Sequence, residues 1–248
     1  MNTAIQITLP EGFPVQREKL DEIHALNQNF SFEVLEHNLK IEEKVKGSFD
    51  RDFFKVIFPF PIQENFFDSM GEANRSHRLE FDTEGIIIHM GTFGLVGAFS
   101  IVIIAAIYVW NKKHKMGRIF DSSTNHDIYS QGISKRRLAD ISFIKYEKFN
   151  SKIIDLGYRL GSPTFCIEIV SNKNSLKENL EKMKNDWIPS GTELGLVVCP
   201  FRKKYYVFTG EGDYKTENFS VPFKNPILPG LILEFDKLLK EAMEETGE

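Results

Sequence analysis

The chain has 248 residues, 42% hydrophobic and 27% charged, which is enough apolar material for one good core and a small extra module and too much for a disordered chain. A net charge of −4 and a pI near 5.9 exclude a protein that coats nucleic acid by bulk electrostatics, because phosphate affinity comes from clustered Lys and Arg. Local clusters occur at Lys112-Lys113-His114-Lys115, Lys135-Arg136-Arg137 and Arg202-Lys203-Lys204, but solvated loops and helix ends give such runs more often than binding sites do.

The N-terminal third carries a repeat. Gly12 to Ile41 aligns without a gap on Pro59 to Ile88, placing Phe13-Pro14-Val15-Gln16 on Phe60-Pro61-Ile62-Gln63, Asp21 on Asp68, Asn27 on Asn74 and Glu33 on Glu80. Each copy predicts a short helix (Arg17 to Leu26; Glu64 to Ala73) running into a pair of strands (Phe30 to Val34 with Leu39 to Ile41; Arg78 to Phe81 with Ile86 to His89). Asn38 and Gly85 share the turn position, where a tight hairpin wants a positive φ. A duplicated packing element is the plainer meaning, with residues 1–50 an added helix-hairpin element and residues 51–248 the main domain.

Gly91 to Trp110 is uncharged over about the 20 residues a bilayer span needs, and Lys112, Lys113 and Lys115 follow it. Glycines at 91, 94 and 97 weaken its start, leaving Ala98 to Trp110 as a helix of ordinary globular length. The expectation is a core helix outside any membrane, covered by sheet on one side and by a second subunit on the other.

Beyond it, Gly117-Arg118-Ile119-Phe120 begins a strand and Asp121 to Asn125 is a polar turn. Leu138 to Ile144 and Thr164 to Val170 predict strands, each with one carboxylate, Asp140 and Glu168, inside an apolar run. A bare carboxylate there costs several kcal/mol unless a cation or donors compensate it, so the pair points to a metal-dependent site. Ser175-Leu176-Lys177-Glu178 reads as a capping box opening a helix with Leu176, Leu180, Met183 and Trp187 on one face. Leu194 to Cys199 reads as a buried strand, Lys204 to Thr209 as a more exposed one, and Leu233 to about Met243 as a last helix. This alternation implies an α/β domain with a mixed sheet. Cys166 and Cys199 lie in apolar strands, where thiols act as small hydrophobes, and with no export signal evident a reducing cytoplasm is expected.

The segments Gly117 to Thr124, Arg137-Leu138-Ala139-Asp140, Glu168-Ile169-Val170-Ser171, Lys182-Met183, Gly191 to Gly195 and Leu228-Pro229-Gly230 occur in an order that resembles the Uma-two family of putative restriction endonucleases, within the PD-(D/E)XK nuclease superfamily. Phe67 to Met90 resembles that family's opening helix and hairpin, so the likeness runs from roughly Lys55 to the C-terminus. It implies a restriction-endonuclease-like mixed β-sheet core flanked by helices, a DNA partner, Mg²⁺, and Asp140 and Glu168 as catalytic acids and metal ligands, with the Ile169 carbonyl as a further candidate. The superfamily's usual lysine two places after the second acid is Val170 here. The resemblance supplies Lys182 from the next helix instead, with Lys184 second, since Lys182 lies well round from the Leu176, Leu180, Met183 and Trp187 face and one extra residue stands between Met183 and Trp187. Glu80 is a third acidic candidate, for the metal shell or for bonding the lysine. Ala139 where the family has Pro, and Asn174 where it has Asp, fit a drifting member. The function so implied is a cytoplasmic, dimeric, Mg²⁺-dependent DNA endonuclease; the alternative is a catalytically inactive nuclease-like fold that binds nucleic acid or protein.

Overall fold

Apolar residues alternating with polar ones make strands of Ala4–Thr8 (β1), Phe30–Leu35 (β2), Asn38–Glu43 (β3) and Phe53–Ile57 (β4), with Ile5, Ile7, Phe30, Phe32, Leu39, Ile41, Phe54 and Val56 turned inward. The computed structural model describes residues 4–49, 53–90, 94–148, 160–210 and 213–244. They fall into two units, one of residues 1–91 with 133–136 and one of residues 92–132 with 137–248.

In the first unit a short helix, Leu20–Leu26 (α1), precedes β2 and β3, and a second, Asn65–Ala73 (α2), precedes Leu79–Asp82 (β5) and Gly85–His89 (β6). The strands form two antiparallel sheets, β1-β3-β2 and β4-β6-β5, the latter extended where Phe81 pairs with Arg136. One core, including Ile7, Ile23, Leu39, Ile41, Val56, Met70, Phe81 and Ile88, takes side chains from both copies of the repeat.

The repeat is visible in its hydrogen bonds. Asn27 Nδ2 donates to Ile23 O (2.8 Å) and Ile57 O (2.7 Å), while its Oδ1 accepts from Ile57 N at 2.9 Å. Asn74 does the same with Met70 O (2.8 Å), Thr8 O (2.8 Å) and Thr8 N (2.7 Å). Each asparagine thus ends its own helix and clamps the strand that leads into the other copy. The hairpin turns differ from expectation: the positive φ of the first falls on Glu36 (53°), not Asn38, and Gly85 is absent from the positive-φ glycines. Gly85 is required for a different reason, since a Cβ there would collide with the Val56 carbonyl.

The second unit holds the helix Gly94–His114 (α3) and the strands Gly117–Asp121 (β7), Asn125–Ser130 (β8), the end of Ile133–Leu138 (β9), Ile141–Lys145 (β10) and Phe165–Ile169 (β11). A helix, Leu176–Lys182 (α4), leads to Leu194–Cys199 (β12), Lys204–Thr209 (β13) and Tyr214–Asn218 (β14), and the described chain ends in Phe235–Glu244 (α5). A six-stranded sheet runs β14-β13-β12-β11-β10-β7, with β11 and β12 parallel and the other neighbours antiparallel. The parallel pair needs a long crossover, which α4 supplies. This is the expected mixed α/β sheet flanked by helices.

One side of this sheet, with Ile141, Phe143, Phe165, Ile167 and Ile169, packs on Phe99, Ile103 and Ile107 of α3 and on Phe235. Leu95, Ile101, Tyr108 and Val109 of α3 are exposed in the single chain, where a second subunit was expected to cover the helix. Residues 91–93 of the expected apolar segment lie outside the described residues. Among those described, α3 is the one helix long and apolar enough to cross a membrane, with 33% of its most apolar window buried.

The basic run Lys135-Arg136-Arg137 is buried rather than solvated. Arg136 pairs with Asp68 at 3.2 Å and lies over the Phe67 and Phe81 rings.

Removing either clamp orphans buried backbone groups in two elements at once. Asn27→Ala and Asn74→Ala are each expected to destabilise the protein by about 2–3 kcal/mol, read from urea unfolding midpoints; a loss within error of zero for both would show that the bonds do not hold the copies together.

Candidate active site

Every residue of β11 is buried, because β10 and β12 flank it and apolar clusters cover both its faces. Its alternation sends Ile167 and Ile169 into the α3 side and Cys166 to the other, where Val170, Trp187 and Met183 gather. Glu168 shares the Cys166 side, with its side chain 5% exposed. Such a carboxylate must be compensated. Lys182 Nζ lies 3.0 Å from its Oε1, and Trp187 Nε1 donates to the same oxygen at 2.7 Å.

Asp140 does not lie inside a strand, contrary to expectation. β9 ends at Leu138 and β10 begins at Ile141, leaving Asp140 at a bend. The last pair of the β10–β11 ladder is Ile141↔Ile167, so one more step sets Asp140 opposite Glu168. The break deprives Ile169 N–H of a ladder carbonyl, and Asp140 Oδ2 accepts that bond instead at 2.7 Å.

Lys182 is buried at the end of α4, its side chain 6% exposed, and Nζ also donates to Leu138 O at 2.8 Å. One ammonium therefore joins the end of β9, which leads into Asp140, to the acid of β11. Lys184 does not take part: it is exposed and points to Asp213, 4.0 Å away. Lys182, expected off the buried face, is buried at the point where the helix changes its winding. After Lys182 it widens into a π turn, Met183–Trp187, marked by Ile188 N donating to Met183 O at 3.1 Å. Leu176, Asn179 and Lys182 of α4 are buried, and so are Met183, Asp186 and Trp187 of the π turn. The serine half of the expected capping box is not made: the Ser175 hydroxyl donates to Asn172 O at 3.0 Å and makes no cap bond.

Two buried polar supports were not expected. Arg137 Nε donates to Asp186 Oδ2 at 2.6 Å, tying β9 to the π turn. His126 on β8 donates from Nδ1 to Gly161 O (2.8 Å) and accepts the Ser142 hydroxyl at Nε2 (2.9 Å), with its ring edge-on to Trp187 at 5.5 Å. The carbonyl can only accept, which fixes that tautomer. Their signal in the sequence is faint: a buried Trp or His needs a partner for its polar edge, but nothing in the spacing says which. Glu80, the third acidic candidate, lies in the first unit, fully buried with Oε1 2.8 Å from His89 Nε2.

Against this geometry, a family model described as "Uma2: Putative restriction endonuclease" matches residues 64–238, most of the chain. The chain belongs to the Uma2 family. Among solved structures it resembles a putative nuclease of DUF820 from Anabaena variabilis at 16% identity and a TM-score of 0.59, covering 73% of this chain and 99% of that one. No curated protein matches.

Burial pushes the His126 pKa down to about 4, with the Lys182 charge adding to the effect and the Gly161 bond opposing it. The folded state thus binds fewer protons than the unfolded chain between that value and the ordinary pKa near 6.5. Stability is expected to fall by on the order of 3 kcal/mol as pH drops from about 6.5 to 4, and His126→Gln should flatten that slope in pH-dependent unfolding; an unchanged slope would remove His126 as its source.

Proposed function

We propose that the protein is a cytoplasmic, Mg²⁺-dependent endonuclease that hydrolyses DNA phosphodiester bonds. The observation that carries this is the meeting of Glu168 and Lys182 at 3.0 Å, with Asp140 one ladder step beyond the Ile141–Ile167 pair and bonded to Ile169 N. Membership of Uma2 supports a nuclease and DNA as its substrate.

The donors fit the ion. Among the described residues no cluster of three or more His, Cys, Asp or Glu exists, and Mg²⁺ commonly uses one or two carboxylates with water completing its shell. Cys166, on the Glu168 side of β11, does not compete, because burial and the neighbouring carboxylate push its thiol well above the usual range. Asp140 and Glu168 would hold the ion, which supplies polarisation of a phosphoryl oxygen and activation of water. Lys182 orients the attacking water and offsets charge growing on the phosphate, in a setting where dry surroundings strengthen its field. The water oxygen bonds to phosphorus, the bridging P–O ester bond breaks, and a proton passes to the departing oxygen.

One observation favours the second reading, an inactive nuclease-like binding module. Glu168 Oε1 already serves Lys182 and Trp187, an arrangement that also suits a purely structural ion pair. In a plasmid-nicking assay with Mg²⁺, Asp140→Ala, Glu168→Gln and Lys182→Met should each lower cleavage by at least about a hundred-fold while DNA retention persists. Binding by the wild type without any nicking would select the module.

Each chain offers one such site and duplex cleavage needs two, which makes a homodimer the fitting assembly. Burial of Val96, Phe99, Val102, Ile103, Ile107 and Trp110 in the core argues against α3 as a membrane span, since withdrawing it would open that core. The protein should sediment from detergent-free buffer at twice its 28.6 kDa mass; a monomer, or recovery with membranes, contradicts the assembly.

A further inference from the structure

We infer that Trp187 is a positioning residue for Glu168, set in place by the π turn, and that its indole senses an ion arriving at the proposed site. The inference rests on the reading of Glu168 as an ion ligand and adds a residue that reading does not require.

Lys182 and Trp187 are five residues apart. In an α-helix that spacing turns two side chains about 140° away from each other, so they could not share an acceptor. The wider π turn brings the later position back over the earlier one, and Nζ and Nε1 reach the same Oε1 atom, at 3.0 and 2.7 Å. Single π turns arise where one residue is inserted into a helix, and they cluster at functional sites. Here the π turn leaves Lys182 at its post and delivers a second donor.

That donor is neutral. A second lysine would cancel the negative charge an ion needs, whereas an indole N–H holds the oxygen in direction and leaves the charge. The indole is itself fixed: it is fully buried, its ring meets His126 edge-on at 5.5 Å, and both His126 nitrogens are bonded, to Gly161 O and Ser142 Oγ. The Thr192 N–H donates to the Trp187 carbonyl at 3.2 Å, pinning the backbone beyond the π turn. Gly195 on β12 leaves room for Met183 at the start of that turn, since a Cβ there would overlap its sulfur. Groups that orient a ligand in this way commonly change metal affinity ten- to hundred-fold when removed, on the order seen for outer partners of metal sites.

The test is calorimetric titration of Mn²⁺, a spectroscopically convenient stand-in for Mg²⁺, into the wild type, Glu168→Gln and Trp187→Phe. Phe keeps the ring against His126 and loses the donor. About ten-fold or more weaker binding to Trp187→Phe supports the inference, and wild-type affinity overturns it while the ion site stands. No binding to the wild type, or binding indifferent to Glu168→Gln, sinks the ion-site reading and this one with it. A second readout does not depend on that variant folding. The chain has two tryptophans, so in Trp110→Phe the emission comes from Trp187 alone. It should shift on Mg²⁺ addition with the midpoint calorimetry gives, and an emission unmoved by saturating ion overturns the inference.

Discussion

A carboxylate in the middle of a wholly buried strand is the constraint around which the second unit is arranged. Glu168 sits between two fully apolar neighbours on β11, and its desolvation would cost several kcal/mol without donors. The compensation comes from the crossover that the parallel β11–β12 pair already requires, so α4 both closes the sheet and supplies the ammonium. Because one lysine reaches both Glu168 Oε1 and Leu138 O, the end of β9 is tied to the same point. Removing either member would leave a buried charge unpaired, typically a loss of about 3–5 kcal/mol, so structure and proposed chemistry rest on one pair.

The two copies of the N-terminal element show the opposite case, a repeat whose packing bonds match in both copies while its paired glutamates sit in different surroundings. The clamping asparagines keep the same bonds in both copies. Glu33 is exposed and reaches Lys40 at 3.5 Å, while its counterpart Glu80 is fully buried against His89. Orphaned backbone groups at a helix end are costly, so each copy makes the clamp, whereas a surface ion pair contributes little and need not match its counterpart.

What was legible in the sequence follows from the strength of each pattern. Phe165–Ile169 and Leu194–Cys199 stand out as apolar runs, and the two acids announce themselves by interrupting such runs. Asn125–Ser130 and Tyr214–Asn218 do not, since they are short and polar and owe their strand state to neighbours. Ala4–Thr8 and Phe53–Ile57 alternate cleanly but were hidden beside the more conspicuous repeat. The lysine was legible only through family resemblance. A helical wheel misplaces Trp187 relative to it, because the wheel assumes 3.6 residues per turn through a segment that abandons that winding. In the sequence the apolar run continues across Asp140 and resembles one strand, and only the ladder shows that it is two.

The contrast between the two acids bears on what they can do together. Glu168 is held within a strand by neighbours on both sides and by two donors on one oxygen, so its position is fixed. Asp140 stands at a bend, half-buried, with its Oδ2 accepting from Ile169 N. Mg²⁺ demands nearly ideal octahedral angles, which two rigid ligands on one sheet meet only by coincidence. One fixed acid and one placed where the backbone changes direction form a pair whose separation can settle around an ion. On this view the break between β9 and β10 belongs to the proposed site as much as the carboxylates do, and a continuous strand with the same two acids would serve it less well.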